Sequence, residues 1–489
     1  MTALDRLEDK SLFKTDSYID GQWVGGTDRF SVSNPANREL LGDVVDVGAD
    51  GARRAIEAAD RAFATWRKTS PFERAKLLHA WNDLILANID DLAVMITAEM
   101  GKPLAEAKGE ILYGSAFIDW SAEEAKRLHG ETLPVPVAGA RGWTIRQPVG
   151  VVSCITPWNF PAAMITRKCA PALAAGCTMV VKPAPETPLT ALALAELADR
   201  AGIPKGVFNV VCGDAENLGP VLTGSDAVRL IGFTGSTEGG KLLMRQAADG
   251  VKRVALELGG NAPFIVMDDA DIDAAAMGVA QAKFRSGGQT CVSPNRILVQ
   301  EGVADRFLEA LEARISQVRA GDGFADGVTI GPMIHDEAVA RIDSLVRDAC
   351  DRGARVRVGG KPLSDELGGS FYAPTLIEGG TLDLDIASHE IFGPVASVYR
   401  MTDEAAILEA ANSTPYGLAA YLYTRDIGRV HRMSEGLDFG MVGVNAPMVG
   451  SASTPFGGVK QSGIGREGGK WGVEEFTDLK YVLLAGVDQ

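Results

Sequence analysis

The 489-residue chain lacks several features that would assign it to a specialised class of protein. Its six cysteines are scattered without CxxC spacing, which argues against a disulfide scaffold and against a zinc site, so we expect no metal centre. No uninterrupted apolar run approaches the roughly 18 residues of a membrane span. The first ten residues hold no apolar core of signal-peptide length. These absences predict a protein of the reducing cytoplasm that has no membrane partner.

Clustered positive charge is missing as well. The formal net charge is -16, and no stretch concentrates Lys and Arg, so we expect no nucleic-acid partner. A local basic pocket for a small anion is still allowed. What the chain does have is an ordinary globular composition, 46% hydrophobic and 23% charged, and a length that predicts two or three domains.

Strand and helix patterns alternate after Pro148. Short β-rich runs occur at residues 149–155, 178–182, 207–211, 229–233 and 254–258, and helical segments separate the first four. This alternation predicts a doubly wound parallel sheet whose carboxyl edge carries the ligand. A second block follows, with strands predicted at 263–267, 296–299, 355–358 and 395–399 and helices at 270–285, 303–319, 333–352 and 402–412.

The first 143 residues have a different pattern of predicted secondary structure. Residues 17–24 predict a hairpin, and residues 49–128 predict long amphipathic helices, with Asp50 capping the first and Ser70 opening the second. The proline-containing stretch 129–143 then breaks the helical pattern. From composition it is either an arm that leaves the domain or a plain linker.

One cysteine stands at an unusual position. Gly287 and Gly288 are expected to end the helix that precedes them, which places Cys291 on a tight turn before a strand. Such a turn can present a thiol to a cleft. Because most cysteines are simply small buried apolar residues, the local pattern alone favours a structural role over a catalytic one.

Several segments could bind phosphate or ribose groups. The literal GxGxxG at 463–468 is rejected, because a dinucleotide fingerprint must be followed by a whole βαβ unit. Gly235 and Ser236 leave a strand and open a helix, so they are either a pyrophosphate site or a plain capping turn. Lys182 ends an apolar strand and is either a ribose donor or a residue whose ammonium reaches water at the sheet edge.

Four polar side chains are candidates for chemistry. Asn159, held between aromatic residues and prolines, is either an oxyanion donor or a loop-stabilising residue. Glu257 lies in an apolar strand, where a carboxylate is either a buried general base or turned outward to water. Arg167 and Arg285 are each more often surface residues, but together they could clamp an anion.

The order of these motifs is more informative than any one of them. Pro-Trp-Asn-Phe-Pro at 157, Lys-Pro at 182, Phe-Thr-Gly-Ser at 233, Glu-Leu-Gly-Gly-Asn at 257, Gly-Gln-Thr-Cys at 288 and Glu-Ile-Phe-Gly-Pro at 390 resemble, in the same order, the signatures of the aldehyde dehydrogenase superfamily. The resemblance covers nearly the whole chain. Within the superfamily, segments 165–168, 283–285 and 460–463 are most similar to the bacterial succinate-semialdehyde dehydrogenases.

This resemblance implies an α/β fold, with a Rossmann-type cofactor domain, an α/β catalytic domain and a small β oligomerisation arm. The cofactor domain would comprise residues 1–128 and 144–256, the catalytic domain 257–445, and the arm with the C-terminal segment 129–143 and 446–489. The arm implies a homodimer or homotetramer. The residues implied to bind NAD or NADP are Thr156, Trp158, Lys182, Ala184, Pro185, Gly235, Ser236, Leu258, Glu390 and Phe392.

The resemblance also implies roles in catalysis. Cys291 would attack the aldehyde carbon, Asn159 would hold the resulting oxyanion, and Glu257 would activate the water that hydrolyses the thioester. The substrate would be bound by Arg167, Arg285, Ser451 and Phe456.

Three positions depart from the pattern of the relatives. Pro185 stands where NAD-preferring relatives often carry Glu, so NADP should be tolerated. Glu186 lies next to it, so NAD is not excluded. Ser293 replaces a second cysteine, so a regulatory disulfide should be absent. Gly450 stands where a serine completes the substrate-carboxylate site, and Ser451 or Ser453 could substitute for it.

The function expected from the sequence is therefore NAD(P)-dependent oxidation of a small anionic aldehyde to its carboxylate. Succinate semialdehyde is the leading substrate, and glutarate semialdehyde or a sulfonated aldehyde such as sulfolactaldehyde is the alternative. A different class, a cysteine acyltransferase or hydrolase without redox chemistry, would need a base other than Glu257 and no nicotinamide site.

Overall fold

The computed structural model describes residues 3–486. Its strands are β1 (Ser17–Ile19), β2 (Gln22–Val24), β3 (Arg29–Ser33), β4 (Leu40–Val45), β5 (Thr132–Leu133), β6 (Arg141–Pro148), β7 (Val151–Ile155), β8 (Thr178–Lys182), β9 (Phe208–Val210), β10 (Val228–Thr234), β11 (Arg253–Glu257), β12 (Ala262–Val266), β13 (Pro294–Gln300), β14 (Arg355–Val358), β15 (Thr375–Glu378), β16 (Val395–Met401), β17 (Ala419–Tyr423), β18 (Met441–Val444), β19 (Gly463–Ile464) and β20 (Thr477–Leu484). Its helices are α1 (Gly48–Trp66), α2 (Pro71–Ala87), α3 (Ile89–Met100), α4 (Leu104–Ala125), α5 (Ala163–Ala175), α6 (Pro188–Arg200), α7 (Ala215–Gly224), α8 (Thr237–Ala248), α9 (Ile272–Phe284), α10 (Ala304–Ile315), α11 (Asp336–Asp351), α12 (Ser364–Leu367), α13 (Asp385–Ser388), α14 (Glu404–Asn412), α15 (Ile427–Gly436) and α16 (Gly469–Glu474).

An eight-stranded sheet contains the first alternating block. Its order is β19-β11-β10-β7-β8-β9-β1-β2, and the five strands from β11 to β9 run parallel. The hairpin β1-β2 and the short β19 add antiparallel strands at the two sides. Strands β7 and β8 are almost wholly buried, as a parallel sheet covered on both faces requires. The predicted doubly wound sheet is confirmed.

The second block forms a seven-stranded sheet of order β14-β15-β16-β13-β12-β17-β18. All neighbours are parallel except β14 and β15. The four strands predicted here are present, but β15, β17, β18 and α15 were missed by the sequence analysis. Strand β17 contains Ala419 and Ala420, small residues whose burial in the centre of a sheet comes from tertiary packing rather than from β propensity.

The amphipathic helices predicted for residues 49–128 are present, as the four helices α1 to α4. The predicted cap of the second helix is also found, because the Ser70 hydroxyl accepts a hydrogen bond from the Phe72 N–H at 3.3 Å. The predicted cap of the first helix was wrong. Helix α1 begins at Gly48 after Val47, so Asp50 lies inside the first turn, where its charge favours the helix dipole instead.

The stretch 129–143 joins the C-terminal segment in a third sheet, of order β20-β6-β5. Strand β6 pairs with β20 along its whole length, from Pro148 opposite Thr477 to Arg141 opposite Leu484. The division of the chain into domains stays a prediction, and residues 1, 2 and 487–489 of its outer segments lie outside the described part. Within residues 3–486 no helix is long and apolar enough to cross a membrane, and no three His, Cys, Asp or Glu side chains cluster as metal ligands would.

Candidate active site

A strained turn presents Cys291. Helix α9 ends at Phe284, and a 3-10 turn at Arg285–Gly288 follows in which Ser286, Gly287 and Gly288 all have positive φ, of 52°, 64° and 77°. A Cβ on Gly288 would lie 2.2 Å from the Gly393 carbonyl oxygen, so only glycine fits there. The Ser286 N–H donates to the Glu106 carboxylate at 2.8 Å, which ties this unfavourable backbone conformation to α4.

Cys291 opens into a cavity of about 390 Å³. Apolar side chains and four aromatic rings form part of its wall, and the charged groups in that wall are Lys102, Glu106, Glu110, Arg167 and Arg285. The structure thus brings Asn159, Arg167, Arg285 and Phe456, which were predicted from the sequence, into one cavity with the thiol. An apolar cleft with a few convergent polar groups is the usual form of a small-molecule site.

The Asn159 side chain, predicted to be an oxyanion donor, uses one of its two amide hydrogens within the protein. Its side-chain Nδ2 donates one hydrogen bond to the Gln289 carbonyl at 2.9 Å, which leaves the second amide hydrogen for a ligand. Within residues 3–486 the Cys291 N–H has no hydrogen-bond acceptor. The two free donors therefore belong to residues that border the same cavity, which is what stabilisation of a developing oxyanion requires.

Glu257 ends β11 and is buried, so the outward alternative is excluded. Burial and the nearby Glu467 carboxylate raise the pKa of Glu257 well above its usual value, while Lys168 and Arg167 oppose the rise. Glu467 itself forms ion pairs with both of these cations, and its own pKa is lowered by them despite its burial. Glu257, the predicted general base, thus lies at the edge of a buried cluster of charged side chains.

The surroundings of Cys291 raise the pKa of its thiol. Burial raises its pKa to about 12, the Glu390 and Glu257 carboxylates add to the rise, and Arg167 and Arg285 lower it. Since the thiolate is the nucleophile, the thiol must lose its proton before it attacks, and a base with a raised pKa in the same charge cluster suits that task.

The predicted cofactor residues follow four neighbouring strands. Thr156, Lys182, Gly235 and Leu258 come at or just after the carboxyl ends of β7, β8, β10 and β11, which are adjacent in the sheet. Lys182 is buried, and within the described part of the chain its ammonium donates to the Pro183 carbonyl alone, at 3.3 Å, which leaves most of its donor capacity unused. Burial lowers the pKa of Lys182.

Glu390 lies across from this edge. Its carboxylate accepts a hydrogen bond from the Gly260 N–H at 3.1 Å, and burial raises its pKa to about 7. A Cβ on Gly260 would lie 2.3 Å from the Cys291 carbonyl oxygen, so the turn after Glu257 packs directly against the nucleophile. Trp158 and Phe392 face each other edge to face, with ring centroids 5.6 Å apart.

These groups fit a nicotinamide dinucleotide. A buried lysine with spare donors and a buried carboxylate suit ribose hydroxyls. The Ser236 hydroxyl accepts from the Gly239 N–H at 3.1 Å, so it caps α8. The remaining free amides at that helix N-terminus suit a pyrophosphate.

The aldehyde dehydrogenase family profile matches residues 23–482 of the chain. The chain belongs to the aldehyde dehydrogenase family. It is 53% identical over 485 residues to a 3-sulfolactaldehyde dehydrogenase of Pseudomonas putida, covering 99% of each chain. It is 51% identical to the NADP(+) succinate-semialdehyde dehydrogenase of Escherichia coli K12, covering 98% of this chain and 99% of the relative. The crystal structure of a succinate-semialdehyde dehydrogenase from Burkholderia pseudomallei is similar at 50% identity and a TM-score of 0.97, covering 98% and 100% of the two chains.

One substrate residue predicted for this aldehyde dehydrogenase is not at the cavity wall. Ser451 is exposed, and its hydroxyl lies 3.2 Å from the Ser453 hydroxyl and 3.0 Å from that of Thr454. Gly450 borders the cavity instead, and a Cβ there would come within 3.1 Å of both Tyr113 and Phe456. The Tyr113 and Phe456 rings therefore occupy the place of a side chain at this position, and the loop contributes no hydroxyl donor to the cavity.

Other residues of this aldehyde dehydrogenase site were missed by the sequence analysis. Glu106, Glu110 and Tyr113 border the cavity from one face of α4, and their spacing of four and three residues is the signal that could have found them. Lys168 and Glu467 had no local signal, because they meet from segments 299 residues apart. The cavity-facing side of α4 becomes apparent only when α4 packs on α5.

Proposed function

We propose that this aldehyde dehydrogenase oxidises a small aldehyde bearing an anionic group at its far end, with succinate semialdehyde as the leading substrate and NAD or NADP as cofactor. The observation that carries the proposal is that the Arg285 guanidinium borders the Cys291 cavity without an ion-pair partner within 4 Å among the described residues. It does act electrostatically on the Glu106 carboxylate. A cation without a partner in an apolar cleft is a site for an anion.

The two arginines differ in what they offer the substrate. Arg167 is enclosed by aromatic rings, its Cζ lying 4.1 Å from the Phe456 ring centroid, and it pairs with Glu467. Among residues 3–486, Arg285 donates to the Met448 sulfur, at 3.6 Å, and lies over the face of Phe160, at 5.5 Å from the ring centroid. We therefore assign the larger share of anion binding to Arg285.

The chain's own groups account for the proton transfers and charge stabilisation. Glu257 takes the proton of the Cys291 thiol and passes it to solvent, the thiolate attacks the aldehyde carbon, and the Asn159 amide and the Cys291 N–H stabilise the oxyanion. A nicotinamide cofactor, held by Lys182 and Glu390, would supply the hydride acceptor. Glu257 then removes a proton from water, which hydrolyses the Cys291 thioester and releases the carboxylate product.

Two further candidate substrates have support. The Pseudomonas putida relative carries the name of a sulfonated aldehyde. The cavity of about 390 Å³ has room for a sulfonate or for the longer glutarate semialdehyde. The cytoplasmic location and the homodimeric or homotetrameric state are proposed with the function, the latter because β20 exposes apolar side chains.

A kcat/KM panel of succinate semialdehyde, glutarate semialdehyde, sulfolactaldehyde and neutral butanal, with both cofactors, tests the function. Arg285→Ala should raise KM for the anionic aldehydes by about 10- to 100-fold, the value of a charge-assisted hydrogen bond, and leave butanal unchanged. Arg347→Ala, at an exposed arginine that pairs with the largely buried Asp343, is the control. An equal effect of Arg285→Ala on butanal and on the anionic aldehydes would contradict the proposal.

A further inference from the structure

A buried lysine that the mechanism above does not use lies next to the oxyanion site. Lys102 is 2% exposed and borders the cavity that contains Cys291. Its ammonium donates to the Glu110 carboxylate at 2.7 Å and to the backbone carbonyl of Asn159 at 2.8 Å. It also lies over the Phe160 ring, 3.8 Å from the centroid. One side chain thus contacts two consecutive residues of the loop that carries Asn159.

Glu110 extends the same attachment to the following residues. While its Oε2 pairs with Lys102, its Oε1 accepts hydrogen bonds from the Ala162 N–H at 2.9 Å and the Ala163 N–H at 3.2 Å. These amides lie at the start of α5, directly after the Asn159 loop. The pair therefore fastens the loop along its length to α4, and both charges are neutralised within the protein.

The backbone of Lys102 is itself fixed. A Cβ on Gly331 would lie 2.0 Å from the Gly101 carbonyl oxygen, and one on Gly323 would lie 2.6 Å from the Lys102 carbonyl oxygen. The Leu104 N–H donates to the Gly323 carbonyl at 3.1 Å. Lys102 is thus held on a closely packed segment.

The other end of Asn159 is fixed independently. Its Nδ2 donates to the Gln289 carbonyl, and the Gln289 side chain is bound to the Ser286 and Pro332 carbonyls and to the Ile334 N–H. Without Lys102, the Asn159 side-chain amide would keep its hydrogen bond to the Gln289 carbonyl, while the Asn159 backbone carbonyl would lose its hydrogen-bond donor. A donor held at one end only is no longer pre-organised toward the oxyanion.

We propose that Lys102, paired with Glu110, is a positioning residue that orients Asn159 for oxyanion stabilisation. The inference rests on the proposed function, which assigns the oxyanion to Asn159. Because the Lys102 charge is already matched by Glu110, Lys102 acts on kcat through Asn159 and does not bind the substrate anion.

The test is a double-mutant cycle on the full-length enzyme. Lys102→Met should lower kcat about tenfold or more, since small displacements of a catalytic donor are costly, and by the same factor for succinate semialdehyde and for butanal. Added to Asn159→Ala, it should cause no further loss. The rate of Cys291 alkylation by iodoacetamide should stay at the wild-type value, which a general disturbance of the site would not allow.

Lys102→Met leaves Glu110 buried without a partner, so it is accompanied by a second variant. Lys102→Met with Glu110→Gln removes both charges and keeps an acceptor for the Ala162 N–H, and it should fold while showing the same loss of kcat. An equal loss of kcat in the presence and absence of Asn159, or a rise in KM confined to anionic aldehydes, overturns the positioning role. An Asn159→Ala variant with full kcat overturns the oxyanion assignment of the proposed function, and the positioning role with it.

Discussion

At the scale of single residues, the buried charges around Glu257 determine when it can act as a base. Glu467 raises the pKa of Glu257, and Lys168 and Arg167 lower it. A general base must be deprotonated, so the rate of thioester hydrolysis should rise with pH as Glu257 loses its proton. The pH at which the rate rises depends on the balance between Glu467, which raises the pKa of Glu257, and the cations Lys168 and Arg167, which lower it.

Replacing Glu467 should therefore shift the pH profile in a defined direction. Glu467→Gln removes the negative charge that raises the pKa of Glu257 and leaves Lys168 and Arg167 to lower it further. The rising limb of kcat should move to lower pH, and a pH profile of kcat with a saturating aldehyde measures it. Glu474→Gln, at a half-exposed pair with Arg146, is the control and should not move the limb. A shift to higher pH would show that Glu467 does not act through its charge.

Acidic residues near Lys182 bear on the choice of cofactor. Pro185 and Glu186 border a second cavity together with Asp46 and Asp214, and Glu186, Asp214 and Asp46 all act electrostatically on Lys182. A 2'-phosphate brings added negative charge toward this acidic surface. As expected from the sequence, Pro185 brings no carboxylate that would repel the 2'-phosphate. The carboxylates of Glu186, Asp214 and Asp46, however, are further sources of repulsion.

Glu186→Gln should lower KM for NADP by about three- to tenfold, roughly 1 kcal/mol for one charge near the surface, with little change for NAD. Pro185→Glu is the opposite change and should raise KM for NADP. Steady-state kinetics with each cofactor at saturating aldehyde measure both variants. If Glu186→Gln altered the two KM values alike, the carboxylate would have no part in discrimination.

At the scale of elements, a buried arginine joins β13 to its surroundings. Arg296 donates to the Asn261 side chain at 2.8 Å, to the Asn261 carbonyl at 3.0 Å and to the carbonyls of Ala410 and Ala411 at 2.6 and 2.9 Å. All of these acceptors are neutral. Burial accordingly lowers the pKa of Arg296 to about 10.

Arg296→Met should destabilise the protein by about 2 to 4 kcal/mol, because four buried acceptors lose their donor. Thermal unfolding measures the effect as a lower Tm. The control is Arg400→Met, which removes exposed pairs with Glu301 and Asp305 and should cost less than about 1 kcal/mol. Equal losses in the two variants would show that the buried network contributes no more than a surface pair.

Sequence patterns predict some elements better than others. Alternating β-rich runs and helices identified the five parallel strands of the first sheet and β12, β13 and β16 of the second, because burial of these strands leaves a strong local pattern, while β15, β17 and β18 were missed. The motifs around Cys291, Glu257 and Asn159 pointed to one site through their order along the chain and its resemblance to a known family, and not through any local pattern. Lys102, Glu110 and Glu467 could not be identified, because a charged residue whose partner is distant in sequence has the same local pattern as a solvated one.

At the scale of the whole molecule, the third sheet has an unpaired apolar face. Leu479, Tyr481 and Leu483 alternate along β20, so they share one face of the sheet, and Tyr481 is 53% exposed. The pairing of β20 with β6 fixes this face on a stable ribbon. A row of exposed apolar side chains of this kind marks an association surface, which supports the homodimer or homotetramer.

Charges on this face should dissociate the oligomer. Tyr481→Glu with Leu483→Lys places two charged side chains where apolar surface would be buried, and light scattering after size exclusion should show a smaller species than the wild type. Ile427→Lys is the matched control, because Ile427 is 72% exposed on α15, away from β20, and its substitution should leave the mass unchanged. The Cys291 cavity is lined without any residue of β20, so the dissociated variant should keep a measurable kcat. If it kept the wild-type mass instead, β20 would not be the association surface.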